Sequence, residues 1–300
     1  MNKTRTTLLV DAFADEPMAG NPAGVLPDAE GLSGDQMGAI AGELGASETA
    51  FLLPSGSADR RVRYFTPETE VDLCGHATIA SHAALYDRGV IDAGEHSLET
   101  EVGVLDITVE ADGTVWMTQD DPEISPVDVG YERVGEALGI DPAAMADVGA
   151  DLPLARATTG LPFLVVPVNF IEHLSGMDPD MGAIEELSVA VDVEGVYAFT
   201  FDALESESTL HGRMFAPRAG VPEDPVTGTA SGAVGAYLRH YGAFDRMPDE
   251  MIFEQGHFVD RPGRVFVTVD EQVRIGGRAV TVLDGDLVIP GDPDDDIIEA

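Results

Sequence analysis

The most constraining feature of the sequence is an internal duplication. Six residues of the segment 74–89 recur in the segment 227–242 at a constant offset of 153 residues, where a Gly-containing turn opens an Ala-rich run. Further matches lie upstream in the same order, at offsets that fall gradually to 140. Single small residues coincide by chance, but an ordered series of matches indicates two copies of one structural unit. The chain is therefore expected to fold as two similar halves.

Each half contains short runs of alternating apolar and polar residues, the pattern of β-strands. An amphipathic helix is predicted over about residues 33–44, and an Ala/Gly-rich helix begins at each of the turns Gly75-His76 and Gly228-Thr229. Such small residues favour burial of both helices inside a curled sheet. We predict an α+β fold of two pseudo-symmetric domains, each a curled, mostly antiparallel sheet wrapped round a central Ala/Gly-rich helix.

The predicted domain boundary follows a cluster of Asp, Pro and Ser within residues 119–127. On this basis the first domain spans residues 1–122 and the second spans residues 123–290. The last ten residues, 291–300, are rich in aspartate and are expected to form a solvated acidic tail.

The charge balance excludes one class of partner. Asp and Glu number 55 against 16 Lys and Arg, which gives a formal net charge of -39. A surface this acidic repels phosphate backbones, so nucleic-acid binding is not expected. The composition favours a salt-adapted surface whose self-repulsion is screened in molar salt. The alternative is an acidic surface for cations or a basic partner.

Other simple features narrow the functional class. Cys74 is the single cysteine, which excludes an internal disulfide and a multi-cysteine zinc site. No apolar run is long enough for a membrane span, and the N-terminus shows no secretory signal, so a cytoplasmic location is expected. Dinucleotide, Walker-type and zinc-ligand spacings are missing, so we expect neither a cofactor nor a metal. Proton chemistry on a small anionic metabolite remains.

Positions at which the two halves differ are the candidates for chemistry, because the scaffold alone does not require them. Glu48 is aligned with Val196, His76 with Thr229, and Asp224 with Val71. A carboxylate and an imidazole can both move protons. The competing interpretation is structural, with Glu48 at a solvated strand end, His76 in ordinary hydrogen bonds and Asp224 bracing the Asp-Pro turn.

The two helix N-termini are candidate anion sites. Backbone N–H groups at Gly75, His76, Gly228 and Thr229 are expected to face a substrate carboxylate, favoured by the helix dipole. Duplicated domains commonly place their site in the cleft between them. A purely structural role for these glycines at crowded turns stays open.

Seven motifs together resemble the PhzF-like family, named for its phenazine-biosynthesis member, within the wider diaminopimelate-epimerase fold. The similarity covers about residues 6–290. The motifs are residues 20–25 (GNPAGV), 47–51 (SETAF), 63–67 (RYFTP), 70–78 (EVDLCGHAT), 159–163 (TGLPF), 223–231 (EDPVTGTAS) and 255–263 (QGHFVDRPG).

The resemblance implies a cofactor-independent isomerase, usually a homodimer, with its site between two pseudo-symmetric domains. In the phenazine-biosynthesis member a glutamate moves a proton between carbons of the substrate, and Glu48 corresponds to it. His76 and Asp224 correspond to the family's histidine and aspartate. Thr229 stands where the phenazine-biosynthesis member has serine.

One departure from the wider fold limits the mechanism. Its epimerases and racemases use two opposed cysteines, but the counterpart of Cys74 is Thr227, so a two-thiol racemase is disfavoured. Two alternatives remain beside the Glu48 isomerase. One is a non-catalytic metabolite-binding protein on the same scaffold, and the other is a one-thiol epimerase that uses Cys74 with Glu48.

Overall fold

The structure is a computed structural model that describes residues 3–146, 148 and 151–291. Most of the predicted acidic tail, residues 292–300, lies outside the described residues. The strands are β1 (Thr4–Ala12), β2 (Asn21–Leu26), β3 (Glu48–Leu53), β4 (Arg60–Phe65), β5 (Glu70–Val71), β6 (Gly94–Thr100), β7 (Gly103–Val109), β8 (Val115–Thr118), β9 (Glu123–Pro126), β10 (Ala155–Thr158), β11 (Pro162–Pro167), β12 (Gly195–Thr200), β13 (Leu210–Ala216), β14 (Val221–Asp224), β15 (Met251–Gln255), β16 (Gly263–Val269), β17 (Val273–Gly277) and β18 (Ala279–Val288). The helices are α1 (Gly34–Leu44), α2 (Gly75–Asp87), α3 (Tyr131–Leu138), α4 (Ala143–Ala146), α5 (Ile171–Ser175), α6 (Met181–Val191) and α7 (Gly228–His240).

The chain divides into two compact units. Unit 1 runs to Met117 and also takes the residues from Gly277 onward, while unit 2 is the continuous segment Thr118–Gly276. This division differs from the predicted one, in which residues 123–290 form the second domain. The physical reason is β18, which was assigned to the second half but pairs antiparallel with β1 over nine residue pairs of unit 1.

The strands of unit 1 pair in the order β18, β1, β2, β3, β4, β6, β7 and β8, with β5 added at the end of β4. Only the pairs β2–β3 and β4–β6 are parallel. In unit 2 the order is β9, β10, β11, β12, β13, β15, β16 and β17, with β14 on β13 and parallel pairs at β11–β12 and β13–β15. The two orders match strand for strand, so β18 occupies in unit 1 the place that β9 occupies in unit 2.

The central helix of each unit begins and ends at equivalent residues. Helices α2 and α7 have thirteen residues each, and both are followed by a glycine with a φ of 65°, Gly89 and Gly242. Helix α2 packs on β1, β2, β3 and β18, while α7 packs on β10, β11 and β16. Nine residues of α2 and ten of α7 are buried, which explains their Ala and Gly content because larger side chains would not fit. The predicted fold class is confirmed.

Helix α1 follows its sequence signals closely. Ser33 caps the first turn, its side chain accepts from the backbone N–H of Gln36, and the Gln36 side chain accepts from the Ser33 N–H. Gly45 ends the helix in the left-handed conformation with a φ of 65°. This capping box and glycine stop fix both ends of the predicted helix.

Unit 2 also contains helices that were not predicted. Helices α3, α4, α5 and α6 pack over one face of the unit's strands around residues such as Leu138, Leu174 and Leu187. Strand β15 ends at Gln255 because Gly256 adopts a φ of 87° and a 3-10 turn follows at His257–Val259. None of the helices within the described residues is long and apolar enough to span a membrane.

A buried hydrogen bond between a glutamate and a histidine of unit 2 gives a testable pH dependence. The side chains of Glu254 and His211 are fully buried, with Oε1 of the glutamate 2.9 Å from Nδ1 of the histidine. Burial alone would raise the pKa of Glu254, but hydrogen bonds from His211 and from the N–H groups of Leu204 and Glu205 outweigh it and lower the pKa to about 2.

We expect Glu254 to stabilise the folded protein fully above about pH 4.5, where its carboxylate is ionised in both the folded and the unfolded state. As the pH falls toward about 2, the unfolded state takes up the proton first, so this contribution to stability is lost. The shift corresponds to roughly 3 kcal/mol. Urea unfolding between pH 5 and 2 should therefore show a shallower fall in unfolding free energy for Glu254→Gln than for the wild type. Parallel curves for the two proteins would contradict the assignment.

Candidate active site

Glu48 is the first residue of β3 and sits where that buried strand emerges. Residues 49–52 of the strand are buried, whereas the Glu48 side chain is 24% exposed. The strand runs parallel to β2, and Glu48 lies opposite Ala23 in the register. The strand therefore fixes the backbone of Glu48, while its carboxylate stays accessible to solvent or to a ligand.

His76, in the first turn of α2, contacts the Glu48 carboxylate. Its Nε2 lies 3.3 Å from Oε2 of Glu48 and 3.2 Å from Oγ of Ser47. The Glu48–His76 contact is within ion-pair distance, yet Oε2 is buried and has no hydrogen bond of good geometry. This buried oxygen consequently has hydrogen-bonding capacity that the protein does not use.

Cys74 also contacts the imidazole of His76. Its Sγ is 3.4 Å from Nδ1 of His76 and 4.0 Å from Nε2, and the residue is buried, with 7% exposed. Donor atoms of Glu48, Cys74 and His76 all lie within 4.8 Å of one another. The three side chains form one cluster, here called the Glu-Cys-His cluster, which contains a thiol, an imidazole and a carboxylate.

The helix N-terminus at this cluster keeps its backbone donors available. Cys74 is the N-cap of α2, but its side chain makes no capping hydrogen bond, and the first turn carries no acidic residue. Since the first N–H groups of a helix have no partner within the helix, those at Gly75 and His76 can bind an anion. The sequence-based expectation of an anion site here is compatible with the structure and stays a prediction.

Unit 2 holds its own group of polar residues at the start of α7. Oδ2 of Asp224 accepts a hydrogen bond of 2.6 Å from Oγ of Thr227, the N-cap residue. The Gln255 side chain donates to the Asp224 carbonyl at 2.8 Å and accepts from the Thr227 N–H at 3.2 Å. Thr159 donates through its hydroxyl to the carbonyl of Thr229 at 3.2 Å. These bonds hold Asp224 and the turn at Gly228 in place.

The strand register corrects one comparison between the halves. Ala23 of β2 lies opposite Glu48, whereas its counterpart Phe163 of β11 lies opposite Gly195. The adjoining antiparallel strands give the same result. The predicted counterpart Val196 is therefore wrong by one residue, which in a strand places the side chain on the opposite face. A residue without a side chain suffices at Gly195, so the fold does not require the carboxylate of Glu48.

Comparison with known proteins identifies the family. The profile of the phenazine biosynthesis-like protein family matches residues 10–285. The chain belongs to the PhzF family. It is 38% identical over 288 residues to the uncharacterized isomerase YfhB of Bacillus subtilis, covering 93% of this chain and 97% of that protein. The chain is an isomerase, as the sequence resemblance predicted.

Solved structures agree with this assignment. A PhzF-family protein of Bacillus anthracis superposes with a TM-score of 0.86 at 35% identity, covering 96% of this chain and 100% of that one. A hydroxyproline epimerase of Agrobacterium vitis matches with a TM-score of 0.61 at 14% identity, covering 97% and 93% of the two chains. The second likeness concerns the fold alone, which this chain shares with that epimerase.

Two residues beside the candidate site residues, one in each unit, had no predicted role. Ser47 and Gln255 both stand in the motifs that carry the resemblance, directly before Glu48 and Gly256. Only the structure shows that Ser47 contacts the imidazole of His76 in unit 1 and that Gln255 bonds to Asp224 in unit 2. Both partners lie far away along the chain, which explains why spacing alone did not reveal them.

Proposed function

We propose that the protein is a cofactor-independent isomerase in which Glu48 moves a proton between two positions of a small anionic metabolite. The observation that carries the proposal is the carboxylate of Glu48 held 3.3 Å from the His76 imidazole at the N-terminus of α2. A carboxylate with an unused buried oxygen beside an imidazole is a suitable general acid/base pair.

The reaction needs two proton transfers. Glu48 removes a proton from a carbon next to a carbonyl or imine group, or from an allylic carbon, and the C–H electron pair moves into the adjoining π system. Glu48 then returns the proton to another carbon of that system, so the substrate gains and loses nothing overall. His76 donates a hydrogen bond that stabilises the charge developed between the two steps.

The helix N-terminus supports an anionic substrate. N–H groups at Gly75 and His76 lie in the first turn of α2, whose dipole favours negative charge. A substrate carboxylate bound there would be adjacent to Glu48, because His76 belongs to both the turn and the acid/base pair. Gly228 and Thr229 occupy the equivalent positions at the start of α7.

Incorporation of solvent deuterium tests the proposal. The protein is incubated in D2O buffer containing molar KCl with a panel of small unsaturated amino, imino and hydroxy carboxylates, a dihydro-hydroxyanthranilate among them, and NMR follows loss of carbon-bound protons. We expect exchange or isomerisation in at least one chemical class. If neither deuterium uptake nor isomerisation exceeds the protein-free control for any compound of the panel, the proposal is contradicted.

The contact between Cys74 and His76 favours a second candidate, a one-thiol epimerase. At 3.4 Å the imidazole could take the thiol proton and so generate a thiolate, the reactive form of cysteine. Cys74→Ser separates the two candidates, because it preserves Glu48 and His76 but removes the thiol. Retained exchange in this variant supports Glu48 chemistry, and abolished exchange supports the thiol.

For Asp224 we expect a role in binding. Asp224→Asn keeps the size of the side chain but removes its charge, so KM should rise roughly 10-fold or more, the loss expected for a hydrogen bond to a charged group. The exposed Asp245 offers a matched control, since Asp245→Asn makes the same change outside the site. Steady-state kinetics on the compound found in the panel measures both, and equal KM values for the two variants would contradict the role.

The proposal also covers the salt concentration, the cellular location and the oligomeric state in which the protein works. A net charge of -39 supports adaptation to molar salt, where screening reduces repulsion between carboxylates. A cytoplasmic location and a homodimer are proposed on the sequence-based grounds given above. Multi-angle light scattering in molar KCl distinguishes a dimer from a monomer.

A further inference from the structure

We propose that the Glu-Cys-His cluster binds one Zn²⁺ ion, and that this ion reversibly inhibits the enzyme. Zn²⁺ is borderline soft and takes thiolate, imidazole and carboxylate ligands, which are the three donor types present here. Binding follows from the geometry of the cluster and does not depend on the proposed function. Inhibition rests on that function, since the ion would occupy Glu48.

The distances between donors suit a tetrahedral ion. Zn–N and Zn–O bonds of about 2.0 Å and a Zn–S bond of about 2.3 Å place N and O about 3.3 Å apart and S and N about 3.6 Å apart. Nε2 of His76 lies 3.3 Å from Oε2 of Glu48 and 4.0 Å from Sγ of Cys74. A shift of a few tenths of an ångström in the Cys74 side chain brings Sγ to the required distance from Nε2, and all three donor atoms already lie within 4.8 Å of one another.

The state of the donors also favours an ion. Oε2 of Glu48 is buried, points toward the cluster and has no hydrogen bond of good geometry. Cys74 is buried, and its Sγ lies 3.4 Å from Nδ1 of His76. Binding then converts the thiol and Zn²⁺ into a zinc–thiolate bond and one released proton. Three protein ligands leave a fourth coordination position for water.

The second half of the chain provides an internal comparison. At the positions equivalent to Glu48, Cys74 and His76, unit 2 has Gly195, Thr227 and Thr229. None of these side chains is a usual zinc ligand. The scaffold is shared by both units, so the three donors are a property of unit 1 that the fold does not demand.

Co²⁺ is the probe, because it takes the coordination of Zn²⁺ and gives a thiolate-to-cobalt charge-transfer band. Cys74 is the single cysteine, so this band reports on the cluster directly. Reduced protein is titrated with CoCl2 in molar KCl and excess Mg²⁺, which occupies the acidic surface. We expect the band to saturate at one ion per chain and to disappear when Zn²⁺ is added.

Variants decide whether all three side chains bind the ion. Cys74→Ser should abolish the band, and His76→Ala and Glu48→Gln should each weaken Co²⁺ binding by at least about 10-fold. His240→Gln, which removes an exposed histidine of α7, should leave binding unchanged. Circular dichroism and thermal melting identify any variant that fails to fold, in which case Cys74→Ala or His76→Asn replaces it.

Several results would overturn the site. They are the lack of a charge-transfer band at saturating Co²⁺, a band that His76→Ala and Glu48→Gln leave unchanged, or a band that excess Zn²⁺ does not remove. Inhibition is measured separately, as a slowing of deuterium exchange by Zn²⁺ that a chelator reverses. A normal band without inhibition would overturn the inhibitory role, whereas exchange without any band would overturn the zinc site and leave the proposed function standing.

Discussion

Replacing Glu48 with glutamine should slow proton transfer by about 10²- to 10⁴-fold, the usual contribution of a positioned general acid or base. Glutamine preserves the size of the side chain but cannot accept a proton from carbon. Because Oε2 of Glu48 has no well-formed hydrogen bond, the folded state should lose little, and the unfolding free energy should change by no more than about 0.5 kcal/mol. The rate of deuterium incorporation, measured by NMR, checks the first statement, and urea unfolding checks the second.

The matched comparison is Cys74→Ser, which alters the same cluster at a residue that the proposed reaction does not use. Exchange should survive in Cys74→Ser and be lost in Glu48→Gln. If Glu48→Gln remains active in molar salt, the carboxylate is not the base. If exchange survives in Glu48→Gln but is lost in Cys74→Ser, the thiol of Cys74 is the group that moves the proton. Both outcomes leave the family and the fold unchanged.

Replacing Arg213 with methionine should lower the unfolding free energy of unit 2 by about 3–5 kcal/mol, the cost of removing one partner of a buried ion pair. Two nitrogens of Arg213 donate to the two carboxylate oxygens of Glu223, each at 2.8 Å, and a third contacts the carbonyl of Leu174 at 2.9 Å. The guanidinium also lies over the rings of Phe215 and Phe258. Methionine leaves the Glu223 charge without a partner in a largely buried position.

The duplication supplies the control for this prediction. Arg63 and Glu70 form the equivalent two-bonded pair in unit 1, but their side chains are 23% and 34% exposed, against 7% and 13% for Arg213 and Glu223. Because solvent screens the exposed pair, Arg63→Met should cost only about 1 kcal/mol or less. Urea unfolding in molar KCl compares the variants, and equal losses at the two sites would contradict the argument. Adding Glu223→Leu to Arg213→Met should recover much of the lost stability.

Much of the fold could be predicted because the same pattern occurs twice. The helix starts at Gly75 and Gly228 follow directly from the constant offset of 153 residues, and both are observed. The unit boundary could not be predicted in the same way. A strand's amphipathic pattern shows that it pairs, but the partner is chosen by long-range hydrogen bonding, so nothing local indicates that β18 pairs with β1.

The candidate site shows the same limit. The comparison of the two halves indicated Glu48 and His76, and in the structure Oε2 of Glu48 lies 3.3 Å from Nε2 of His76. The alignment of Glu48 with Val196 was nevertheless wrong by one residue, because the strand register makes Gly195 the counterpart of Glu48. The matching Ala-Phe pairs in β3 and β12 suggested that alignment, whereas strand register depends on pairing across the sheet. Cys74 was predicted only as an alternative, and its contact with the two ring nitrogens of His76 depends on side-chain geometry that the sequence does not specify.

The pairing of β18 with β1 also determines which of the two units can complete its set of strands first during translation. Unit 2 is one continuous segment and has all of its strands once Gly276 has left the ribosome. Unit 1, although translated first, leaves one edge of β1 without its partner strand until residues 279–288 emerge. An edge strand left open is a template for pairing with other chains. The nascent chain therefore carries an exposed edge through most of its translation, and the half that is made first is the half that is finished last.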